Sequence, residues 1–167
     1  MIFLSKNMLS GLAERAENSL RRRKTLNLHA SYQEGCQRLL NAILVDSYIQ
    51  PHRHTRAEKK ELLVALQGSF SIITFDDVGN FADSANFGTE KHLGDLCPNI
   101  GVEIDPNVWH TVLANEENSI LLEVKEGPFD PLEAKELAPW APREDSIASK
   151  KYLKQCFKFS KIKSTTL

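Results

Sequence analysis

The sequence has few cysteines, and the three present, Cys36, Cys97 and Cys156, are far apart and form no C-x-x-C pair. A disulfide framework needs paired cysteines, so this odd set predicts reduced thiols. Long apolar runs are also lacking. No stretch approaches the ~20 residues that cross a bilayer, and Lys6 and Asn7 interrupt the apolar opening before the roughly 7–15 residues of a secretory core. We therefore expect a cytoplasmic protein without a membrane partner.

Neither sign of charge is in excess. The 21 lysines and arginines offset the 22 aspartates and glutamates, which leaves a formal net charge of −1. No global field attracts nucleic acid, and we expect no nucleic-acid partner. The run Arg21-Arg22-Arg23-Lys24 is a local concentration of positive charge. We interpret it as a set of cations at the C-terminal end of a helix.

The chain of 167 residues, with 41% hydrophobic and 26% charged residues, is the size of one globular domain with a single core. Ser5 is a candidate N-cap, and Met8, Leu9, Leu12 and Ala16 follow it at helical spacing. This pattern predicts a first helix that ends near the basic run.

From residue 26 to residue 125 the pattern changes to short strand-like runs broken by turn residues. Gly68 is predicted to form a hairpin turn, and residues 76–80 a second turn, because Gly and Asn accept positive φ at little cost. Strands at this spacing, without helical patterns between them, favour an all-β sandwich or barrel. The predicted strands are residues 39–48, 61–67, 69–76, 101–104, 109–114 and 119–125.

The region after Lys125 is rich in proline and predicts an irregular arm that lies over the barrel. Trp140 in this arm is expected to pack on the barrel exterior. A short last helix is predicted over residues 147–157, followed by a frayed tail. The expected organisation is an N-terminal helical segment (1–25), a β-barrel (26–126) and a C-terminal arm with a short helix (127–167).

The segment Pro51-His52-Arg53-His54 carries the clearest chemical signal. Side chains at i and i+2 of a strand point to the same face, so His52 and His54 can converge while Arg53 points away. Glu61 opens the next predicted strand and can return a carboxylate to the same place. Two imidazoles and one carboxylate suit Fe(II), Mn(II), Zn(II) or Ni(II), and the ligand types do not decide among these ions.

A third imidazole is expected from a distant part of the chain. The segment 105–110 supplies a turn followed at once by a strand that starts near His110. A histidine in this position lies at the mouth of a barrel, with Trp109 on the opposite face of the strand. We therefore expect His52, His54, Glu61 and His110 to bind one divalent metal ion.

These motifs resemble the two motifs of the cupin superfamily, and the similarity is closer to the WbuC-type cupin-fold metalloproteins. The resemblance implies a mainly β fold, a single cupin-type double-stranded β-helix (jelly-roll) barrel with an N-terminal helix and a C-terminal arm. It also implies a bacterial, cytoplasmic setting near nucleotide-sugar metabolism and polysaccharide biosynthesis, and a homodimer formed by edge strands. The similar segments are residues 23–29, 37–42, 51–54, 75–77, 102–104, 109–110, 121–125 and 138–142.

The sequence departs from the general cupin pattern at several positions. Asp46 and Asn107 stand where glycine is usual, but Asp and Asn tolerate positive φ better than other non-glycine residues. The spacing from His54 to Glu61 is also longer than usual. Glu58 lies at the more usual distance and is therefore the alternative carboxylate ligand. We prefer Glu61 because its distance to Gly68 matches the pattern.

Three further residues are candidates for lining a pocket around the metal. Tyr48 and Gln50 share strand parity with His52 and His54, a relation that a bulge at Pro51 would break. His29 matches a segment of the family and is interpreted first as a polar residue at a strand edge. His92 has no partner in the sequence pattern, and we assign it no role.

The leading hypothesis is a mononuclear metal-binding cupin that acts on or binds a small polar molecule of sugar-derived type. Whether it is an enzyme of dioxygenase, isomerase or hydrolase type stays open, and no catalytic residue is assigned. The first alternative is a cupin module that captures or senses a small ligand without converting it. A second is a metal-independent sugar epimerase or isomerase, which needs a His–Tyr acid/base pair in one pocket.

Overall fold

The computed structural model describes residues 1–55, 60–94, 97–130 and 135–164, with side chains up to residue 161. Helix α1 spans Lys6–Glu17 and is capped as predicted, because Ser5 Oγ accepts a hydrogen bond from Met8 N at 3.2 Å. It buries Leu12, Ala13 and Ala16. The helix ends at Glu17, several residues before the basic run, so the prediction that this run lies at a helix C-terminus is wrong.

The basic run instead turns the chain into the first strand. Arg22 has a φ of 55°, and strand β1 begins at Arg23. Arg22 forms an ion pair with Asp46, whereas Arg21 and Arg23 both contact the carboxylate of Glu144 in the C-terminal arm. These cations therefore bind distant parts of the chain to the start of the barrel.

Within the described ranges, ten strands form two five-stranded sheets, and each pairing between these strands is antiparallel. The first sheet has the order β1-β2-β9-β4-β7, and the second has the order β10-β3-β8-β5-β6. The strands are β1 (Arg23–Asn27), β2 (Cys36–Ile43), β3 (His52–Arg53), β4 (Glu61–Gln67), β5 (Ser69–Phe75), β6 (Phe81–Gly88), β7 (Gly101–Ile104), β8 (Trp109–Ala114), β9 (Ser119–Glu126) and β10 (Glu136–Leu137).

Two facing sheets of this kind confirm the predicted cupin-type jelly-roll barrel. Strands β4, β7 and β8 have the predicted bounds. The predicted strand 39–48 is wrong at both ends, because β2 spans Cys36–Ile43 and the chain then turns, with Ser47 N donating to Leu44 O at 3.0 Å. Strands β1, β6 and β10 were not predicted as strands, and a short 3₁₀ helix spans Glu90–His92.

Gly68 does not form a hairpin turn, which corrects the prediction. Strands β4 and β5 on either side of it belong to different sheets, so Gly68 marks the corner where the chain passes from one sheet to the other. Its φ is +76°, and a Cβ there would lie 2.2 Å from Ser119 Oγ. Only glycine meets both requirements without strain. The second predicted turn, residues 76–80, does connect the antiparallel strands β5 and β6, with Asp76 N donating to Asn80 O at 3.1 Å.

The apolar side chains form three buried clusters. The cluster between the two sheets includes Phe70, Phe87 and Leu121. A second cluster lies where the C-terminal region covers the second sheet and includes Trp109, Ala138 and Leu153. In the third, α1 covers the first sheet through residues such as Leu12, Leu40 and Ile120. The barrel is therefore packed on its inside and on both outer faces.

The C-terminal arm pairs with the barrel before it becomes helical. Strand β10 pairs with β3, which places Leu137 opposite His52. Trp140 packs against Phe75 and Trp109 on the exterior of the barrel, with ring centroids 5.0 and 6.0 Å apart. Helix α2 spans Ala148–Ser164. It extends beyond the predicted end at residue 157, so residues 158–164 of the tail expected to fray continue the helix.

The turn expected at Asn107 is confirmed, because Asn107 has a φ of 64°. Asp46 is not among the described non-glycine residues with positive φ, so its turn does not require that conformation. Cys36, Cys97 and Cys156 are free thiols. Across the described ranges, no helix combines the length and the apolar character that crossing a membrane requires.

Replacing Gly68 with alanine should lower the free energy of unfolding by about 1–3 kcal/mol, because the new Cβ adds a strained φ and a contact with Ser119. Urea denaturation measures this change. Gly11→Ala in α1 is the matched control. No atom lies within 4 Å of the added methyl group there, so this variant should gain about 0.5–1 kcal/mol. Equal stability of the Gly68→Ala variant and the wild type would contradict the corner assignment.

Candidate metal centre

Four polar side chains meet inside one end of the barrel. Their ligand atoms, one from each of His52, His54, Glu61 and His110, all lie within 4.8 Å of one another. All four residues are buried, and His110 is 1% exposed. The structure thus brings together residues from β3, β4, β8 and the segment that follows β3.

Strand pairing positions the imidazoles. His52 of β3 lies directly opposite His110 of β8, and their ring centroids are 4.5 Å apart. His54 follows two residues after His52 and faces the same way, as the alternation of a strand requires. Arg53 points to the outer face, where its guanidinium lies 4.3 Å from the ring centroid of Trp109. Its charge is therefore kept away from the cluster.

Backbone carbonyls orient two of the three rings. His52 Nδ1 lies 3.0 Å from Gln50 O, and His110 Nδ1 lies 2.9 Å from Val108 O. A carbonyl can only accept, so each ring donates from Nδ1 and presents the lone pair of Nε2 to the cluster. Metal-binding histidines are commonly oriented by this kind of hydrogen bond.

Glu61 lies between the imidazoles of His54 and His110 on one side and the ammonium group of Lys125 on the other. Its Oε2 is 3.4 Å from His54 Nε2 and 3.3 Å from His110 Nε2, and its Oε1 is 3.7 Å from Lys125 Nζ. Burial alone would raise the pKa of Glu61. The contacts with His110 and His54 and the charge of Lys125 outweigh burial and hold the pKa of Glu61 well below its usual range. The side chain is therefore an ionised carboxylate at neutral pH.

A polar network that sequence analysis missed continues from Glu61 along the barrel wall. Lys125 contacts Glu123, Asn41 Nδ2 donates to Glu123 Oε2 at 2.6 Å, and Thr25 Oγ1 donates to Asn41 Oδ1 at 2.6 Å. Burial and the nearby charge of Glu61 raise the pKa of Glu123 to about 7, with Lys125 opposing the rise. Strand parity could have revealed Glu123 and Lys125, since both point inward from β9 beside Leu121.

The cluster opens into a cavity of about 640 Å³, a size typical of small-molecule sites. Its apolar wall includes Ile49, Leu63 and Val112, and Phe129 of the C-terminal arm also contributes. The polar lining residues are Ser19, Arg21, Arg23, Lys24, Thr25, Asn41, His52, His54, Glu61, His110, Glu123, Lys125 and Lys135.

The three residues predicted to line this pocket lie elsewhere. Tyr48 is buried under the arm and donates from its hydroxyl to Pro142 O at 2.9 Å. Gln50 donates from Nε2 to Ala138 O at 3.0 Å, so it contributes its backbone carbonyl to His52 and not its side chain to the cavity. His29 is buried beside β2, where its Nδ1 accepts from Arg38 N at 3.1 Å. The strand parity that predicted Tyr48 and Gln50 fails because β2 ends at Ile43.

The alternative carboxylate, Glu58, lies outside the described residues. His92, to which no role was assigned, is remote from the cluster, and its Nδ1 lies 2.9 Å from Thr89 Oγ1. All three tyrosines of the chain are described, and none of them lines the cavity. The His–Tyr acid/base pair of the epimerase alternative is therefore missing from this cavity.

The donor set fits a divalent first-row metal ion. Ligand atoms about 2.1 Å from a common ion are at most about 4.2 Å apart, so separations within 4.8 Å need only a small contraction. Imidazole nitrogens and a carboxylate are ligands that these ions accept. The cluster could hold one such ion and leave coordination positions open toward the cavity.

Two solved structures with TM-scores above 0.5 support the fold class. The capsular polysaccharide assembling protein CapF from Staphylococcus aureus matches with a TM-score of 0.53 and 14% identity, over 68% of this chain and 29% of that chain. Protein SO0799 from Shewanella oneidensis matches with a TM-score of 0.51 and 12% identity, over 68% and 72% of the two chains. KdgF from Halomonas sp. matches with a TM-score of 0.48 and 12% identity, over 65% and 81%. No curated protein matches the sequence.

Fold and site together define a cupin-type barrel with a buried candidate metal centre. A family model described as a domain of unknown function (DUF6016) matches residues 4–87, half of the chain. The chain belongs to this family. The matched region contains His52, His54 and Glu61, whereas His110 follows it.

In the metal-free protein, His52 should contribute a loss of stability as pH falls from about 7 to about 5, whereas Glu123, whose pKa is raised to about 7, contributes in the opposite direction. Burial, followed by the neighbouring His110, lowers the pKa of His52 well below 6.5. The unfolded chain then binds a proton that the folded chain does not. The stability that neutral His52 contributes is thus fully present above the pKa of His52 in the unfolded chain. It is lost as pH falls toward the lower pKa of His52 in the folded chain, and the free energy of unfolding then changes by up to about 1.4 kcal/mol per pH unit.

Urea denaturation in the presence of a chelator at the two pH values measures the change. Relative to the wild type, His52→Asn should lose less stability, or gain more, between pH 7 and pH 5. If the stability of His52→Asn changes by the same amount as that of the wild type, His52 is not the group responsible.

Proposed function

We propose that this protein is a mononuclear metal-binding cupin that acts on or binds a small polar molecule in the cavity above His52, His54, Glu61 and His110. The observation that carries the proposal is the convergence of these four buried donors at the base of a cavity of about 640 Å³. Burying three imidazoles and a carboxylate is costly unless they are satisfied, and one shared cation satisfies all four.

The chain's own groups support this role in separate ways. The carbonyls of Gln50 and Val108 fix the Nδ1 atoms of His52 and His110, so their Nε2 atoms are ready to act as ligands. The contacts with His110, His54 and Lys125 hold Glu61 in its ionised form. A divalent metal bound there supplies Lewis-acid polarisation of a ligand oxygen or activation of water or O₂.

Glu123 is positioned to exchange protons near such a ligand. It lines the cavity, is linked to Thr25 through Asn41, and has a pKa of about 7. A carboxyl group with a pKa near neutrality is suited to general acid/base work. The position of Glu123 on the cavity wall, together with this pKa of the metal-free protein, favours an enzyme over a module that only captures its ligand.

The proposed cellular setting and ligand type of the protein rest on sequence resemblance. The similarity to WbuC-type cupins supports a cytoplasmic protein near bacterial polysaccharide biosynthesis, with a sugar-derived ligand. The fold-level likeness to CapF, a capsular polysaccharide assembling protein, is compatible with that setting. The homodimer implied by the resemblance stays a prediction, which light scattering of the purified protein would test.

Purified wild-type protein should contain about one first-row metal ion per chain after reconstitution, and the His52→Ala/His110→Ala variant should contain none. The double variant removes two of four donors, whereas His92→Ala leaves the cluster intact and should retain the wild-type content. Elemental analysis after gel filtration measures the ratio. Metal retained by the double variant at the wild-type level, or an empty wild type after reconstitution, would reject the proposal.

Glu61→Gln should weaken metal binding at least about tenfold while the fold is retained, because a neutral amide replaces the charged donor. Competition with a chelator of known affinity measures the change, and circular dichroism checks the fold. Unchanged affinity in this variant would leave a three-histidine site without Glu61 as a ligand.

A further inference from the structure

The cavity has an excess of positive lining residues that metal binding does not explain. Among the described residues, five cationic side chains line it, against two carboxylates, Glu61 and Glu123. The chain as a whole has a formal net charge of −1. The positive lining is therefore a local feature of the cavity, and a bound divalent cation would increase it. The five residues are Arg21, Arg23, Lys24, Lys125 and Lys135.

Part of this charge is neutralised within the protein. Lys125 contacts both Glu123 and Glu61. Arg21 and Arg23 share one carboxylate, that of Glu144, at 3.1 and 2.5 Å. Two guanidinium groups thus have a single counter-charge, and the Arg21 side chain is 60% exposed. One positive charge of this pair is left for a ligand in the cavity.

Lys135 and Lys24 are the lining cations for which the described residues show no ion pair, and Lys135 belongs to the arm that pairs with β3. Lys135 lines the cavity, and no carboxylate of the described residues lies within 4.0 Å of its Nζ. Its position is fixed by the barrel, because it directly precedes β10, whose Leu137 pairs with His52. The arm thereby places an ammonium group on the same cavity as the donor cluster.

We propose that the cavity binds its small molecule through an anionic oxygen group, a phosphate or a carboxylate, held by Lys135 and Arg21. Ammonium and guanidinium groups form charge-assisted hydrogen bonds with such oxygens. The less polar part of the ligand lies against Ile49, Leu63 and Val112. The inference deepens the proposed function by naming the ligand class, and it rests on the same cavity.

The test is isothermal titration of the metal-loaded and the metal-free protein with inorganic phosphate, acetate and glycerol. We expect phosphate or acetate to bind more tightly than the neutral glycerol. A preference for phosphate identifies a phosphorylated ligand, and a preference for acetate a carboxylate. Lys135→Gln should weaken binding of the preferred anion at least about tenfold, which corresponds to about 1.4 kcal/mol.

Lys151→Gln is the matched control, since Lys151 is exposed on α2 and does not line the cavity. It should bind the anion like the wild type. Arg21→Gln is a second test variant. It should also weaken anion binding without changing the metal content. The inference is overturned if glycerol binds as well as both anions, or if Lys135→Gln and Arg21→Gln both keep wild-type anion affinity.

Metal content, measured on the same samples, separates the two proposals. A wild type that takes up no metal but loses anion affinity on Lys135→Gln rejects the metal proposal and supports the anion site. A wild type that holds metal but binds neither anion supports the metal proposal and rejects the anion site.

Discussion

The burial of three imidazoles and a carboxylate at one end of an apolar barrel is the constraint on which the site depends. Polar groups removed from water must find partners, or the fold loses free energy. Here the partners are neighbouring groups of the same barrel. Backbone carbonyls take the Nδ1 protons of His52 and His110, and Lys125 compensates Glu61. The Nε2 atoms are thereby left facing a common point, which a shared cation can occupy.

Much of the fold and the donor cluster was predictable, because both depend on short-range rules. Strand alternation brings His52 and His54 to one face, and the tight turn at Asn107 places His110 at the start of its strand. The corner at Gly68 was not predictable in the same way. A glycine with positive φ serves a hairpin or a sheet-to-sheet passage equally well, and only the pairing of distant strands decides between them.

The pocket lining was mispredicted for a related reason. Tyr48 and Gln50 would share the face of His52 only if one strand ran through all of them. The chain instead leaves β2 at Ile43 and turns, and both side chains are drawn under the C-terminal arm by Pro142 and Ala138. The lining residues Arg21, Lys125 and Lys135 come from three separate parts of the chain, so no local pattern joins them.

Strand β3, which carries His52, is only two residues long and has β8 on one side. On its other side lies β10, which terminates the second sheet. If the arm were released, β3 would become a sheet edge with unpaired backbone donors and acceptors, and such edges recruit strands from other molecules. By pairing with β3, the arm therefore blocks strand addition at the sheet edge nearest the cluster. Removal of the arm would expose this edge to pairing with strands of other molecules.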